Sequence, residues 1–513
     1  MQTRVERESD FIDWITDFMV RCDTAKKTYL GNAEQAQFLH DTRMQRWEPG
    51  TNHPITDRMS LNAQAPHSSE PMIKGVVRDA SHILLKHDPM LRVRALDVTK
   101  SATAEGITVH LYEAWTNRVT NTLKRLRLAT QGMFLSGMEI LAVEHYFNTV
   151  GELVHLVNVV PRTDFWADPI HSDIDDHICN RRYWYSESQI RRIFGKTEML
   201  ESGEIRPFTR YSMFDQNQYD WNANADTGPP DWWAPTDEGL YPVYEVWIPN
   251  RYLEPEHFTD RQIKESPFGR RVTVLSESVI ENIENPNARP SPMGGYVGHR
   301  GHPFVQVECF RTFNSDGYSP LYQVEGIVQD LEEVQWEVNE LARLAFIAAQ
   351  REAEPNYWVA EGQTRGTDYL AHLPGRKFTY DPTVSPNPPI QVRSANMASL
   401  AAMKSDKQNS LRDISGVRGP IVGGDPAMGT SHTPVGTLRQ IQESSTIRLW
   451  GPLGNIENGI HGIGWRLLGN IQQHKLPNSY ASVVINNRES YSEWTTDHIY
   501  NDYRLEVVAG MST

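Results

Sequence analysis

Between residues 320 and 355, apolar side chains return at every third or fourth position: Val324, Ile327, Leu331, Val334, Val338, Leu341, Ala345 and Ala348. This is a heptad seam. It predicts one long helix that starts at the Ser319-Pro320 cap, where proline removes no helical hydrogen bond, and runs to Pro355. At ~1.5 Å per residue such a helix is on the order of 50 Å long. After it, YWVAEG, RKFTY and PIQVR read as short strands joined by Gly- and Pro-rich turns, and a further helix is expected over 397–415. Two helices therefore flank a small β module.

Elsewhere the two periods alternate. Phe11, Ile12, Trp14, Ile15, Phe18 and Met19 predict one or two helices over 9–47, followed by a polar loop over 49–70. PMIKGVVRDASHILLKHDPMLRVRAL reads as a helix that breaks at Asp88-Pro89 and continues as a strand. Ile107, Leu111, Trp115, Val119, Leu123, Leu126 and Met133 predict a single long amphipathic helix over 104–135. Alternation in GMEILAVEHYF and ELVHLVNVVP predicts paired strands, and 181–185, VYEVWI, RRVTVL, YASVVIN and YRLEVV are further strands. A short helix should follow a cap at Ser186 or Ser188. The Trp-rich stretch DTGPPDWWAPTDEG reads as a surface loop, and 416–433 as a Gly-rich loop. A helix over 434–474 should kink at Gly451-Pro452. The fold class expected is α+β, rich in helix.

Composition narrows the function. A chain of 513 residues with 39% hydrophobic and 22% charged positions folds around more than one core. The N-terminal MQTRVERESDFIDWITDF has no continuous apolar run, so neither a secretory signal nor a membrane span is expected. A net charge of −15 disfavours tight, general binding to nucleic acid, whose phosphates call for a basic surface, but suits a surface past which a polyanion must slide. Cys22, Cys179 and Cys309 lie far apart and read as unpaired thiols.

The charge is concentrated. Along 319–355, Glu325, Asp330, Glu332, Glu333, Glu337, Glu340, Glu352 and Glu354 stand against only Arg343 and Arg351. A solvated helix usually balances charges at four-residue spacing, so this excess needs an environment that tolerates or uses negative potential. The following helix carries Lys404, Lys407 and Arg412. The loop 416–433 has no lysine and so lacks the phosphate-binding GxxxxGK[ST] pattern. His171, Asp173, Asp175, Asp176, His177 and Cys179 are possible metal ligands. They match neither a calcium loop nor a usual zinc spacing, and read as a polar loop. No hydrolase, kinase or metalloprotease motif occurs, so neither an enzyme nor a bound metal or cofactor is expected.

Several segments, in order, resemble tailed-phage portal proteins: PMIKGVVRDASHILLKHDPMLRV, GMFLSGMEILAVEHY, VVPRTDFWADP, GHPFVQVECFRTFNSDGYSPLYQVEGIVQDLEEVQWEVNEL, and SGVRGPIVGG followed by TSHTP. The resemblance spans roughly 70–475. It implies a portal fold with wing, stem, clip and crown regions around a central channel, in a ring oligomer usually of twelve subunits. Residues 1–318 would be wing, 319–355 the first stem helix, 356–396 the clip and 397–415 the second stem helix. Residues 416–433 would be the channel loop, 434–474 the kinked wing helix and 475–513 a small crown. Val324, Ile327, Leu331, Val334, Val338 and Leu341 would pack the stem, and Glu332, Glu333, Glu337 and Glu340 would line the bore. Lys404, Lys407 and Arg412 would touch phosphates transiently, and Gly423, Gly424, Asp425, Pro426, Met428 and Gly429 would form the channel loop. The implied partners are other copies of the chain, major capsid and scaffolding proteins, terminase, a head-tail adaptor and double-stranded DNA in the channel, with no membrane. The implied location is the portal vertex of the virion, after synthesis in the host cytoplasm. The alternatives are another virion structural protein or a metal-dependent DNA-processing enzyme acting through Asp175 or Asp176.

Overall fold

The computed structural model describes residues 4–40, 71–85, 89–117, 120–148, 151–195, 240–275, 278–290, 296–312, 320–353, 357–360, 377–381, 383, 397–416, 449–485, 488–495, 498 and 503–508. It is a mixed helix and sheet protein, so the α+β expectation holds. Two compact units make it up: one from residues 1–33, 81–326 and 451–513, the other from 34–80 and 327–450.

The first unit is built on an antiparallel five-stranded sheet in the order β4 (Phe165–Ala167), β5 (Cys179–Ser186), β6 (Leu240–Ile248), β7 (Arg270–Leu275) and β8 (Ser278–Glu284). Helix α1 (Arg4–His40) is continuous, where the sequence left one or two helices open. Its stripe of Phe11, Ile15, Phe18 and Cys22 recurs every three or four residues and packs on Trp166, Ile178, Val246, Ile248, Val272 and Val274 of the sheet region. Further along, Tyr29 and Leu30 enter a second core with Met138, Ile140, Phe165 and Phe304. Lys26 interrupts the apolar stripe yet is buried. Its ammonium donates to the Phe165 carbonyl (3.2 Å), pairs with Asp23 (3.0 Å) and lies 4.3 Å from the centre of the Trp166 ring.

A three-stranded sheet orders β11 (Phe304–Glu308), β2 (Met138–Phe147) and β3 (Leu153–Val160), confirming the predicted strand pair. The predicted helix over 104–135 is in fact two, α3 (Ser101–Thr116) and α4 (Thr122–Ser136). The break falls at Asn121, whose left-handed φ of 47° asparagine tolerates better than most residues. Gly137 ends α4 with φ 93°, and a Cβ there would stand 2.7 Å from the Val324 carbonyl carbon, so both conformation and space require glycine. Helix α5 (Glu187–Phe194) starts at Ser186 in a capping box with Gln189. Strand β1 (Met90–Ala95) pairs with β18 (Tyr503–Val508), and β16 (Tyr480–Ile485) with β17 (Arg488–Glu493). Cys22, Cys179 and Cys309 are buried thiols that form no disulfide with one another, as expected.

In the second unit, α7 (Ile327–Ala353) and α8 (Met397–Ser415) pack antiparallel, with Leu341 and Ala348 of α7 against Leu400 of α8. Helix α7 begins seven residues later than the cap at Ser319 suggested, at Ile327 and not Pro320. Pro320–Tyr322 is a single 3-10 turn, and Val324–Glu325 form β13, paired with β12 (Phe310–Arg311). Gly326 explains the delay: a side chain there would meet the Phe134 carbonyl oxygen at 2.2 Å, so the chain passes close to α4 before it can coil. Val324 is therefore buried in a strand of the first unit and not in the helical seam. Strands β14 (Tyr357–Ala360) and β15 (Lys377–Tyr380) pair in parallel, as part of the module expected between the helices.

Helix α9 (Trp450–His474) holds Pro452 in its first turn, where the missing N–H has no partner to lose. The residues on the other side of the expected kink, 434–448, lie outside the described residues. So do PIQVR, the Trp-rich stretch and the Gly-rich loop with Gly423, Gly424, Asp425, Pro426, Met428 and Gly429.

Candidate functional site

The acidic helix sorts its carboxylates by face. Asp330, Glu333, Glu337 and Glu340 are exposed and spaced three or four residues apart, so they form one stripe. Glu332 is half-buried on another face and accepts a hydrogen bond from Gln35. Arg343 pairs with Glu340 and, by hydrogen bonding to its carboxylate, lowers the Glu340 pKa from its ordinary value. Opposite the stripe, Ile327, Leu331, Val338 and Leu341 are buried as the seam predicted, while Val334 is only half-buried. The seam also holds a polar pair that apolar periodicity does not reveal. Gln335 and Asn339, both buried, are joined by a 2.9 Å hydrogen bond, and Gln335 also accepts from the Ile73 amide at 3.3 Å. Buried amides of this kind fix helix register at some loss of stability.

The basic residues of the return helix are divided between two faces. Leu400, Lys404, Lys407 and Leu411 recur at four, three and four residues on the less exposed face of α8, and Lys407 pairs with Glu337 at 2.6 Å. Of the three expected phosphate contacts, Arg412 is the exposed one. Lys407, half-exposed, also ties the two helices together across the charge difference between them.

The polar loop between β4 and β5 differs from its sequence reading. His171 and His177, six positions apart, stack with ring centres 3.5 Å apart, and Asp168 joins them. Potential ligand atoms of the three residues lie within 4.8 Å of one another. Asp168 uses one oxygen to accept from the Ile170 amide (3.1 Å), and its other oxygen stands 3.8 Å from His171 Nε2. Burial first, then the neighbouring His171 and Arg251, lower the His177 pKa below its ordinary 6.5.

Long-range contacts set this loop. Arg311 donates to the Ser172 carbonyl (2.5 Å), His302 Nε2 meets the Ile174 carbonyl (2.6 Å), Arg466 pairs with Asp175 (3.0 Å), and Arg251 donates to the Asp176 carbonyl (2.6 Å). Asp175, the carboxylate an enzymatic reading would use, is thus engaged by Arg466 outside the Asp168–His171–His177 group. His177 also borders a pocket with Asp176, Trp247, Arg270, Arg300 and His302.

No family model matches the chain, and no curated protein matches it. Among the described residues, no helix is long and apolar enough to cross a membrane.

Proposed function

We propose that the chain is a subunit of a tailed-phage portal, a ring through which double-stranded DNA enters and leaves a capsid. The observation that carries the reading is the second unit's layout. A 27-residue helix with an exposed acidic stripe leads into a short strand pair and returns through an antiparallel helix. Repeated around a ring axis, the stripe of Asp330, Glu333, Glu337 and Glu340, the last two also paired with Lys407 and Arg343, would present net negative charge to DNA, which lowers friction for a sliding polyanion. The order of segments resembling portal proteins supports the same reading. On this proposal the partners are further copies of the chain, terminase during packaging, a head-tail adaptor afterwards, and capsid and scaffolding proteins, and the subunit resides at one vertex of the virion.

The test is native mass spectrometry with electron microscopy of the purified chain. Rings of about twelve subunits are expected. Monomers or dimers alone at assembly concentrations would refute the proposal. In rings that form, replacing Asp330 and Glu333 with lysine, which leaves the Lys407–Glu337 tie intact, should slow DNA packaging while leaving the subunit count unchanged. Packaging at the unaltered rate removes the acidic stripe from the channel.

A further inference from the structure

We infer that the outward face of the β16–β17 pair in one copy of the chain binds the exposed first turns of α4 in the next copy around the ring. The two surfaces are opposite in charge, and each has an apolar centre. Ala481 and Val483 of β16 point inward onto Val109 and Tyr112 of α3. By strand alternation and register, Tyr480, Ser482, Glu489, Tyr491 and Glu493 point outward, and all five are exposed. Tyr480 and Tyr491 stand diagonally across the two strands at 72% and 68% exposure, although burying an aromatic ring is favourable. Their hydroxyls are tied down: Tyr491 donates to Glu489 (2.5 Å) and Tyr480 to Glu493. Both rings therefore have little freedom left to lose on docking, and tyrosine is enriched where proteins meet.

The complementary surface is on α4. Leu126, Ala129, Thr130 and Met133 are buried, which leaves Lys124, Arg125 and Leu128 exposed on the outer side. Leu128, 46% exposed, lies four and three residues from the two cations, so the three side chains form one patch. The first turn holds no acidic residue and the Asn121 side chain does not cap it, so the positive end of the helix dipole adds to the charge. Among the described residues, none of Lys124, Arg125, Glu489 and Glu493 is in an ion pair. Docked, Lys124 meets a glutamate, the Arg125 guanidinium lies over one tyrosine face, and Leu128 covers the other ring. With a net charge of −15, copies of the chain repel one another on average, so a basic patch facing an acidic one selects a single orientation of approach. Unlike patches meeting between copies make a head-to-tail contact, the kind that closes into rings. The contact rests on the ring reading and assigns surfaces to it.

The test reverses the charges of the full chain and then exchanges them. Lys124→Glu with Arg125→Glu, and separately Glu489→Lys with Glu493→Lys, should each raise the concentration for half-assembly at least about tenfold in native mass spectrometry. All four substitutions together should restore it to within about threefold of the parent, because the pairs are re-formed with their signs exchanged. The positions are exposed, so every variant should keep the parent's circular dichroism. Isotopically light and heavy chains, mixed before assembly and treated with a carbodiimide, should yield mixed peptides that join Lys124 to Glu489 or Glu493. Rings that neither reversal weakens, a four-substitution variant no better than the two reversals, or crosslinks confined to peptides of a single isotope would each overturn the contact and leave the ring standing. A parent that stays monomeric overturns the contact and the ring together.

Discussion

Acid should weaken the first unit through histidines that fold without charge. His155, opposite His145 in the β2–β3 pair, is buried, and its Nδ1 has no hydrogen-bond partner. Burial first, then the nearby His145, Lys475 and His474, push its pKa down to about 3. Burial and Arg466 push His302 to about 4, with the Ile174 carbonyl opposing. Both folded values lie below the ordinary 6.5, so the stability tied to neutral histidine is complete above pH 6.5 and is lost as pH falls from there toward 4 and 3. At pH 5.5 the unfolded imidazole is one unit below its pKa while the folded ring stays neutral, which costs about 1.4 kcal/mol for each histidine and about 3 kcal/mol for the two. Urea unfolding at pH 7.5 and 5.5, at constant ionic strength, measures the loss. His155→Gln has no ring to titrate, so it should lose about 1.4 kcal/mol less than the parent over that interval. Equal losses in parent and variant would show that His155 is already charged or paired in the native state, and the reasoning would fail.

Other perturbations test separate parts of the fold. Leu331→Ala removes a fully buried seam residue and should destabilise the protein by about 3 kcal/mol in chemical denaturation, with no compensation if the seam is real. Arg162→Met strands the buried Glu139 carboxylate, whose pKa burial raises against the pull of Arg162. A loss of about 3–5 kcal/mol is expected at pH 7, shrinking at acid pH as Glu139 takes up a proton, and a pH-independent loss would argue against the ion pair. At Asn121, φ 47° makes Asn121→Gly close to neutral and Asn121→Val destabilising by about 1–2 kcal/mol; equal melting temperatures would place the break elsewhere.

What was readable in the sequence was local. Ser186 and Gln189 announce the start of α5 by a capping pattern that needs no tertiary partner, and the alternation from Met138 onward announces β2. The break between α3 and α4 was hidden because Val119 and Leu123 keep the apolar period running across it. The start of α7 was misplaced because the contact between Gly326 and α4 overrides a good cap at Ser319. The His171–His177 pair was illegible for a stronger reason. Its geometry depends on Arg311, His302 and Arg466, which lie 139, 128 and 291 positions away from the loop residues they hold. The acidic stripe was visible as a count of charges, but that Lys407 would join α8 to α7 required the packed helices.

The pairing of β1 with β18 has a consequence for biosynthesis. Arg94 and Glu506, joined across these strands, are 412 positions apart. At roughly 5–20 residues per second a ribosome needs about 20–80 s to travel from one to the other. Throughout that interval the nascent β1 has made its apolar positions, Leu91 and Val93, while the strand that covers its edge does not yet exist. An unpaired strand edge invites pairing with other chains, and in this protein the invitation lasts for most of translation. A polysome, where many copies wait at the same stage side by side, is therefore the setting in which this chain most needs a chaperone.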